Sequence, residues 1–259
     1  MKICVLIKQV PNEDAIIKIA PDGNNIIEDN LTFSTNEPDT YALEEALLIK
    51  EKTGDCEVVV CTMGKSSSMQ ILKEGLAKGA DRAIYIDSEP IMSNDPLTKS
   101  KVLSNILQKE NFDLILSGLQ SDDDGYAQTG LLLAELLNMT HASLVVGTEM
   151  LGADKIKVKK ELESGWFQWA EMQLPSSLSI QSGLNKPRYA SLKGIMSAKK
   201  KPIDTINLND MNIELESSRT SIEKMYLPQK SKETHFIDGD SDAIVEGIIK
   251  VLKDEVKAI

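Results

Sequence analysis

Short apolar runs alternate with helical patterns over roughly the first 140 residues. The runs at 3–7, 58–61, 83–86 and 114–116 are too short for helices, and several are rich in Val and Ile, as strands buried on both faces are. Between them lie helical stretches. One covers 39–52, with Ala42, Leu43, Ala46, Leu47 and Ile49 apolar and Gly54 as its stop. Others cover 67–78, ending at Gly79, then 96–109, opened by Pro96, and 126–137. The alternation predicts an α/β fold, a doubly wound parallel sheet with right-handed crossovers, up to about residue 140.

The pattern then changes. Segments 144–151, 156–163 and 167–174 read as strands of a small antiparallel ribbon that turns at Gly152-Ala153-Asp154. From Ser182 the chain is loop-like, marked by Gly and Pro, and basic. Residues 205–240 have little periodicity and read as an arm lying over this protein or a partner. Residues 241–256 form an amphipathic terminal helix, with Ser241 as its N-cap and Ile244, Ile248, Ile249 and Leu252 apolar. The expected organisation is an α/β domain over 1–204, including a loop at 184–202, and a C-terminal arm and helix over 205–259.

Charge and composition narrow the function. Lys and Arg number 29 against 40 Asp and Glu, a net charge of −11 over 259 residues, which argues against a nucleic-acid binder except through a local basic patch. Aromatics, at 4%, are too sparse for stacking on bases. No apolar run approaches the ~18 residues of a membrane span. The opening run, closed by Lys8, is too short for a signal-peptide core. The three cysteines, Cys4, Cys56 and Cys61, suggest buried free thiols in a reducing, cytoplasmic compartment. Their spacing, with no His nearby, does not suggest a metal site.

Open parallel sheets bind ligands at the carboxyl ends of their strands, where the strand order reverses. Segments 8–12, 36–39, 62–64 and 118–130 reach that rim. Neither a dinucleotide fingerprint nor a P-loop is present, and Gly64-Lys65-Ser66-Ser67 imitates only the end of one. The densest polar cluster, 118–130, follows a strand and opens a helix, so backbone N–H groups of Ala127 to Gly130 can face an anion. Its aspartates suit ribose hydroxyls, a helix cap or loop positioning; the plain alternative is an acidic surface turn. Lys8 either faces a phosphate or ends its strand in solvent. Asp39 is placed to cap a helix, with Glu44 and Glu45 in its first turns. His141 and His235 have no nucleophile motif beside them, which leaves a hydrolase unsupported. Trp166 and Trp169 read first as packing residues facing opposite sides of a strand, and second as an interface. Between Lys186 and Lys201 lie six basic residues and no acidic one. With Leu192, Ile195 and Met196 interspersed, this is equally a solvated segment or a docking loop with an apolar anchor and a cationic rim.

These segments together resemble the beta (small) subunits of electron transfer flavoproteins over nearly the whole chain. The resemblance is carried by Val5-Leu6-Ile7-Lys8-Gln9-Val10-Pro11, by 36–47, by Gly79-Ala80-Asp81-Arg82-Ala83 and by Gln128-Thr129-Gly130. Most specific are Leu184-Asn185-x-Pro187-Arg188-Tyr189-Ala190-Ser191-Leu192 and Ile195-Met196-x-Ala198-Lys199-Lys200-Lys201. The resemblance implies a Rossmann-like nucleotide-binding domain with a long arm. It also implies a heterodimer with an alpha subunit whose domain holds the electron-transferring FAD. The small subunit's own cleft would hold AMP or, in members that bifurcate electrons from NADH, a second FAD.

Carried over by position, nucleotide contacts fall on Leu6, Lys8, Asn36, Glu37, Pro38, Asp39, Met63, Asp123, Asp124, Gly125, Tyr126, Ala127, Gln128, Thr129, Gly130, Leu131, Leu132, Leu133 and Ala134. Docking of a flavin dehydrogenase falls on Arg188, Tyr189, Leu192, Ile195, Met196, Lys199, Lys200 and Lys201, with Leu192 as the anchor. Met63-Gly64 leans towards a second FAD, whereas Asp123-Asp124-Gly125-Tyr126-Ala127-Gln128 matches neither the AMP nor the bifurcating pattern. The alternative is a stand-alone adenine-nucleotide-sensing domain of universal-stress type, which needs neither arm nor anchor loop.

Overall fold

The structure, a computed structural model, describes residues 1–88, 95–211, 218–228 and 234–258. The elements run β1 (Lys2–Leu6), β2 (Gln9–Pro11), β3 (Phe33–Thr35), α1 (Glu37–Thr53), β4 (Glu57–Gly64), α2 (Met69–Lys78), β5 (Arg82–Asp87), α3 (Pro96–Leu107), β6 (Leu114–Gly118) and α4 (Thr129–Leu136). There follow β7 (Thr140–Met150), β8 (Lys155–Glu161), β9 (Phe167–Gln173), β10 (Ser176–Ile180), α5 (Leu192–Ala198), β11 (Ile203–Asn207) and α6 (Ser241–Lys250). Every strand and helix expected up to residue 140 is present, with ends moved by a few residues.

One nine-stranded sheet carries the fold, in the order β11-β5-β4-β1-β6-β10-β7-β8-β9. From β11 to β7 all neighbours are parallel; β8 and β9 complete it antiparallel. Strand residues alternate between two cores. Ile3, Val5, Val58, Val60, Leu114 and Leu116 face α1 and α2, whereas Cys4, Leu6, Val59, Cys61, Ile84 and Ile115 face α3 and α4. The thiols of Cys4, Cys56 and Cys61 are free and buried. The chain runs outward from β1 to β4 and β5, then returns to place β6 on the other side of β1. That reversal opens a crevice at the carboxyl ends of β1 and β6.

Several features differ from the sequence reading. The ribbon is not a separate layer, because β7 pairs in parallel with β10, which was not foreseen, and so extends the main sheet. Residues expected to begin the arm form β11 against β5, so the boundary drawn after residue 204 falls inside a strand. Helix α4 starts at Thr129 rather than Tyr126, since Gly125 (φ 65°) and Ala127 (φ 54°) take left-handed backbone that no helix accepts. The segment after Ser191 is helical, capped by the Ser191 hydroxyl accepting from Gly194 N–H. Asp240, not Ser241, caps α6, by accepting from Ala243 N–H. Part of the arm lies on this chain: Arg219 N–H donates to the Asp95 carboxylate and Met225 N–H to the Gly23 carbonyl. Arm residues 212–217 and 229–233 fall outside the described residues. Among the described residues, no helix is long and apolar enough to cross a membrane.

Candidate functional site

At the crevice the carboxyl ends of β1, β4 and β6 meet the first turns of α3 and α4 around an open cleft of about 150 Å³. Its floor is held by Asp39. The two carboxylate oxygens accept from Lys8 N–H at 2.7 Å and Gly118 N–H at 2.8 Å, tying the end of β1 to that of β6. Asp39 is thus inside α1 and spans two strands, rather than capping the helix. Burial pushes its carboxyl up to about 7, against the downward pull of those two N–H groups. Gly118 is needed here, since a Cβ would lie 2.5 Å from Asp39 Oδ1.

Asn36 fixes the polar loop. Its side chain accepts from Asp122 N–H at 2.9 Å and donates to the Gln120 carbonyl at 3.0 Å, while Asp122 accepts from Glu37 N–H at 3.1 Å. Lys8 reaches across the mouth to Asp123 at 2.5 Å and Asp124 at 2.8 Å. Burial works against the Lys8 charge, but those carboxylates outweigh it and hold the ammonium above its ordinary value. Burial likewise opposes ionisation of Asp123, and the Lys8 bond overcomes it to lower that carboxyl.

Helix α4 begins without a side-chain cap, leaving its first-turn N–H groups at the cleft. Beneath it the buried Ser117 hydroxyl has no hydrogen-bond partner among the described residues. Gly130 lies so close that a Cβ there would stand 2.7 Å from both the Ser117 and Ser179 hydroxyls. The site therefore offers an anion pole at α4 and Lys8, an unused hydroxyl, and an apolar wall of Leu6, Cys61 and Met63.

The structure brings Leu6, Lys8, Asn36, Asp39, Met63, Asp124, Tyr126, Ala127, Gln128, Thr129 and Gly130 to the cleft. Glu37, Pro38, Asp123, Gly125 and Leu131 to Ala134 do not line it; Leu133 and Ala134 are core residues. Gly64 is also off the lining, and the space left by its missing Cβ is taken by Ser68, 2.8 Å away. Sequence reasoning missed Ser117 and, from α3, Pro96, Lys99 and Leu103. The signal was available, because a crossover helix that follows a strand begins at the carboxyl rim.

The basic segment divides in two. Arg188 is not a free docking cation: its guanidinium binds Glu44 and Glu51, and its own N–H donates to Glu44. Glu44 first, then Glu51, hold its charge above the ordinary range. Lys201 donates to the carbonyls of Leu76 (2.9 Å) and Ala80 (2.5 Å), closing the end of α2. Glu45 joins the same framework through Thr148 and Asn185. Tyr189, Leu192, Ile195 and Met196, by contrast, stand exposed, Leu192 at 83%, with Lys199 and Lys200 exposed beside them. Trp166 and Trp169 are exposed too, which removes core packing as their role; Trp169 lies against the Lys157 ammonium.

Residues 24–211 match the family described as the electron transfer flavoprotein domain. The chain is 36% identical to the electron transfer flavoprotein subunit beta of Methylophilus methylotrophus, over 98% of each chain. It is 34% identical to the mitochondrial subunit beta of Arabidopsis thaliana over the full length of both. To the subunit beta of Homo sapiens it is 32% identical, over 89% of this chain and 91% of the human one. The similarity takes in both the cleft and the exposed α5 patch, and the chain belongs to the electron transfer flavoprotein family.

Proposed function

We propose that this chain is the small subunit of a heterodimeric electron transfer flavoprotein, cytoplasmic, and that its cleft holds an adenine nucleotide. The buried, unpartnered Ser117 hydroxyl beneath the uncapped start of α4 carries the cleft reading, because a buried polar group without a partner is costly unless a ligand satisfies it. The residues present fit such a ligand. Ser117, Lys8 and the first-turn N–H groups of α4 suit a phosphate, and Leu6 and Met63 an apolar ring. Asp39 and Asn36 keep the floor and the loop in place rather than touching charge themselves.

We favour FAD as that nucleotide, on the open cleft and the Met63 wall, and with it bifurcation of electrons from NADH. AMP is the second reading, favoured by the position of Gly64, turned to Ser68 instead of the cleft. A bound flavin supplies the redox chemistry; the chain supplies its seat and the docking surface. At that surface the exposed Leu192, Ile195 and Met196 would bury in a dehydrogenase, with Lys199 and Lys200 steering the encounter. The alpha subunit completes the carrier.

Co-expression of the chain with its proposed alpha partner tests this. A stable complex with a flavin spectrum that a dehydrogenase reduces is expected. A chain that stays alone when co-expressed, and a flavin that no dehydrogenase reduces, would overturn the reading.

A further inference from the structure

The cleft holds a second ammonium group that belongs to none of the motifs. Lys99 sits on the first turn of α3, lines the cleft, and is only 26% exposed. Its Nζ lies 3.9 Å from Asp124 Oδ2, the oxygen that Lys8 Nζ contacts at 2.8 Å. Two cations from different elements thus share one carboxylate oxygen, and Lys99 has the longer, poorer contact. Burial and the neighbouring Lys8 charge lower its proton affinity, an effect that Asp124 and Asp123 offset only in part. The Ser117 hydroxyl, in a residue 7% exposed on the same lining, has no partner among the described residues. An oxyanion with more charge and more acceptors than one carboxylate would satisfy both ammonium groups together.

We propose that Lys99 is a phosphate ligand of the cleft and that Asp124 is a resident stand-in: the phosphoryl group of the bound nucleotide displaces Asp124 and bridges Lys8 and Lys99. This rests on the nucleotide reading above and deepens it. Asp124 keeps two desolvated cations paired when the cleft is empty, and it competes with the ligand for them. Lys99 then separates phosphorylated adenine ligands from adenosine, which has nothing to give either lysine.

Calorimetric titration of the full-length chain with AMP, FAD and adenosine tests this. Lys99→Gln should weaken AMP and FAD by roughly tenfold or more, the range for a hydrogen bond to a charged group, and leave adenosine unchanged. Lys99→Arg should restore most of the loss, and Asp124→Asn should tighten AMP by removing the competitor. Unchanged AMP affinity in Lys99→Gln, or an equal loss for adenosine, overturns the proposal alone. A wild-type chain that binds none of the three overturns the nucleotide reading as well. Thermal melts of each variant separate lost contacts from lost folding.

Discussion

Replacing Asp39 by asparagine removes a charge from a residue only 6% exposed and turns one of its two acceptors into a donor. The two changes act with opposite sign. The folded carboxyl titrates near 7 and the free one near 3.8, so the folded chain keeps a proton that the unfolded chain has already lost. Wild-type stability therefore falls as pH rises from about 4 to about 7. At ~1.4 kcal/mol per pH unit, the loss from this group reaches about 4 kcal/mol. The variant lacks that titration. Against this, an amide oxygen can accept from only one of the Lys8 and Gly118 N–H groups, and orphaning the other costs ~1–3 kcal/mol. Asp39→Asn should thus lie within about 1 kcal/mol of wild type at pH 5, where part of the wild-type loss already offsets the orphaned N–H, and should become the more stable protein by pH 8. Urea unfolding of both proteins across pH 5–8 measures this, and carboxylates common to both cancel in the difference. A deficit that stays constant with pH would refute the reasoning, because Asp39 would then be ionised throughout.

The proposed docking surface gives two predictions. Leu192→Ala should slow electron exchange with the dehydrogenase by the ~1.5–3 kcal/mol of a buried leucine, leaving flavin content unchanged; stopped-flow kinetics at low and high salt check it. Gly194→Ala would set a Cβ 2.2 Å from the Ala77 carbonyl oxygen, so α5 should lift from α2 and transfer should slow without any loss of exposed apolar side chains; protection of α5 amides in hydrogen exchange reports the shift. Arg188→Ala should destabilise by about 1.5–3 kcal/mol, the range for hydrogen bonds to a charged group, since the half-buried guanidinium would no longer partner the buried Glu44. Arg188→Lys should rescue little of that, because lysine cannot reproduce the fork to Glu44 and Glu51. Both are read by chemical denaturation.

The central strands were legible because burial on both faces makes them continuous apolar runs. Strand β10, Ser-Ser-Leu-Ser-Ile, was not: its serines are as buried as core residues, and two of them bond to backbone, Ser177 to the Gly130 carbonyl at 3.2 Å and Ser176 to that of Gln173 at 3.0 Å. Small side chains there let α4 approach, a packing requirement with no hydrophobic signature. In the cleft, Lys8, Asn36 and the loop before α4 followed from the rule for parallel sheets. Lys99 did not, because that rule points to strand ends and the loops after them, and Lys99 stands on the first turn of the helix beyond. Arg188 and Lys201 looked equivalent to Lys199 and Lys200 in a uniformly basic stretch, and only the fold brings Glu44, Glu51 and the carbonyl end of α2 beneath the first two. The functions of Glu44 and Asp39 were hidden for the same reason: both read as helix-start acids, and both hold distant segments together.

The most direct test of the account is a count of cofactors in the complex of this chain with its alpha partner. Denatured complex, separated by chromatography and quantified against protein, should release two FAD per heterodimer and no AMP. One FAD with one AMP would contradict the assignment of FAD to this cleft. Flavin from the alpha subunit alone, with no adenine nucleotide left over for this chain, would contradict the cleft's role altogether.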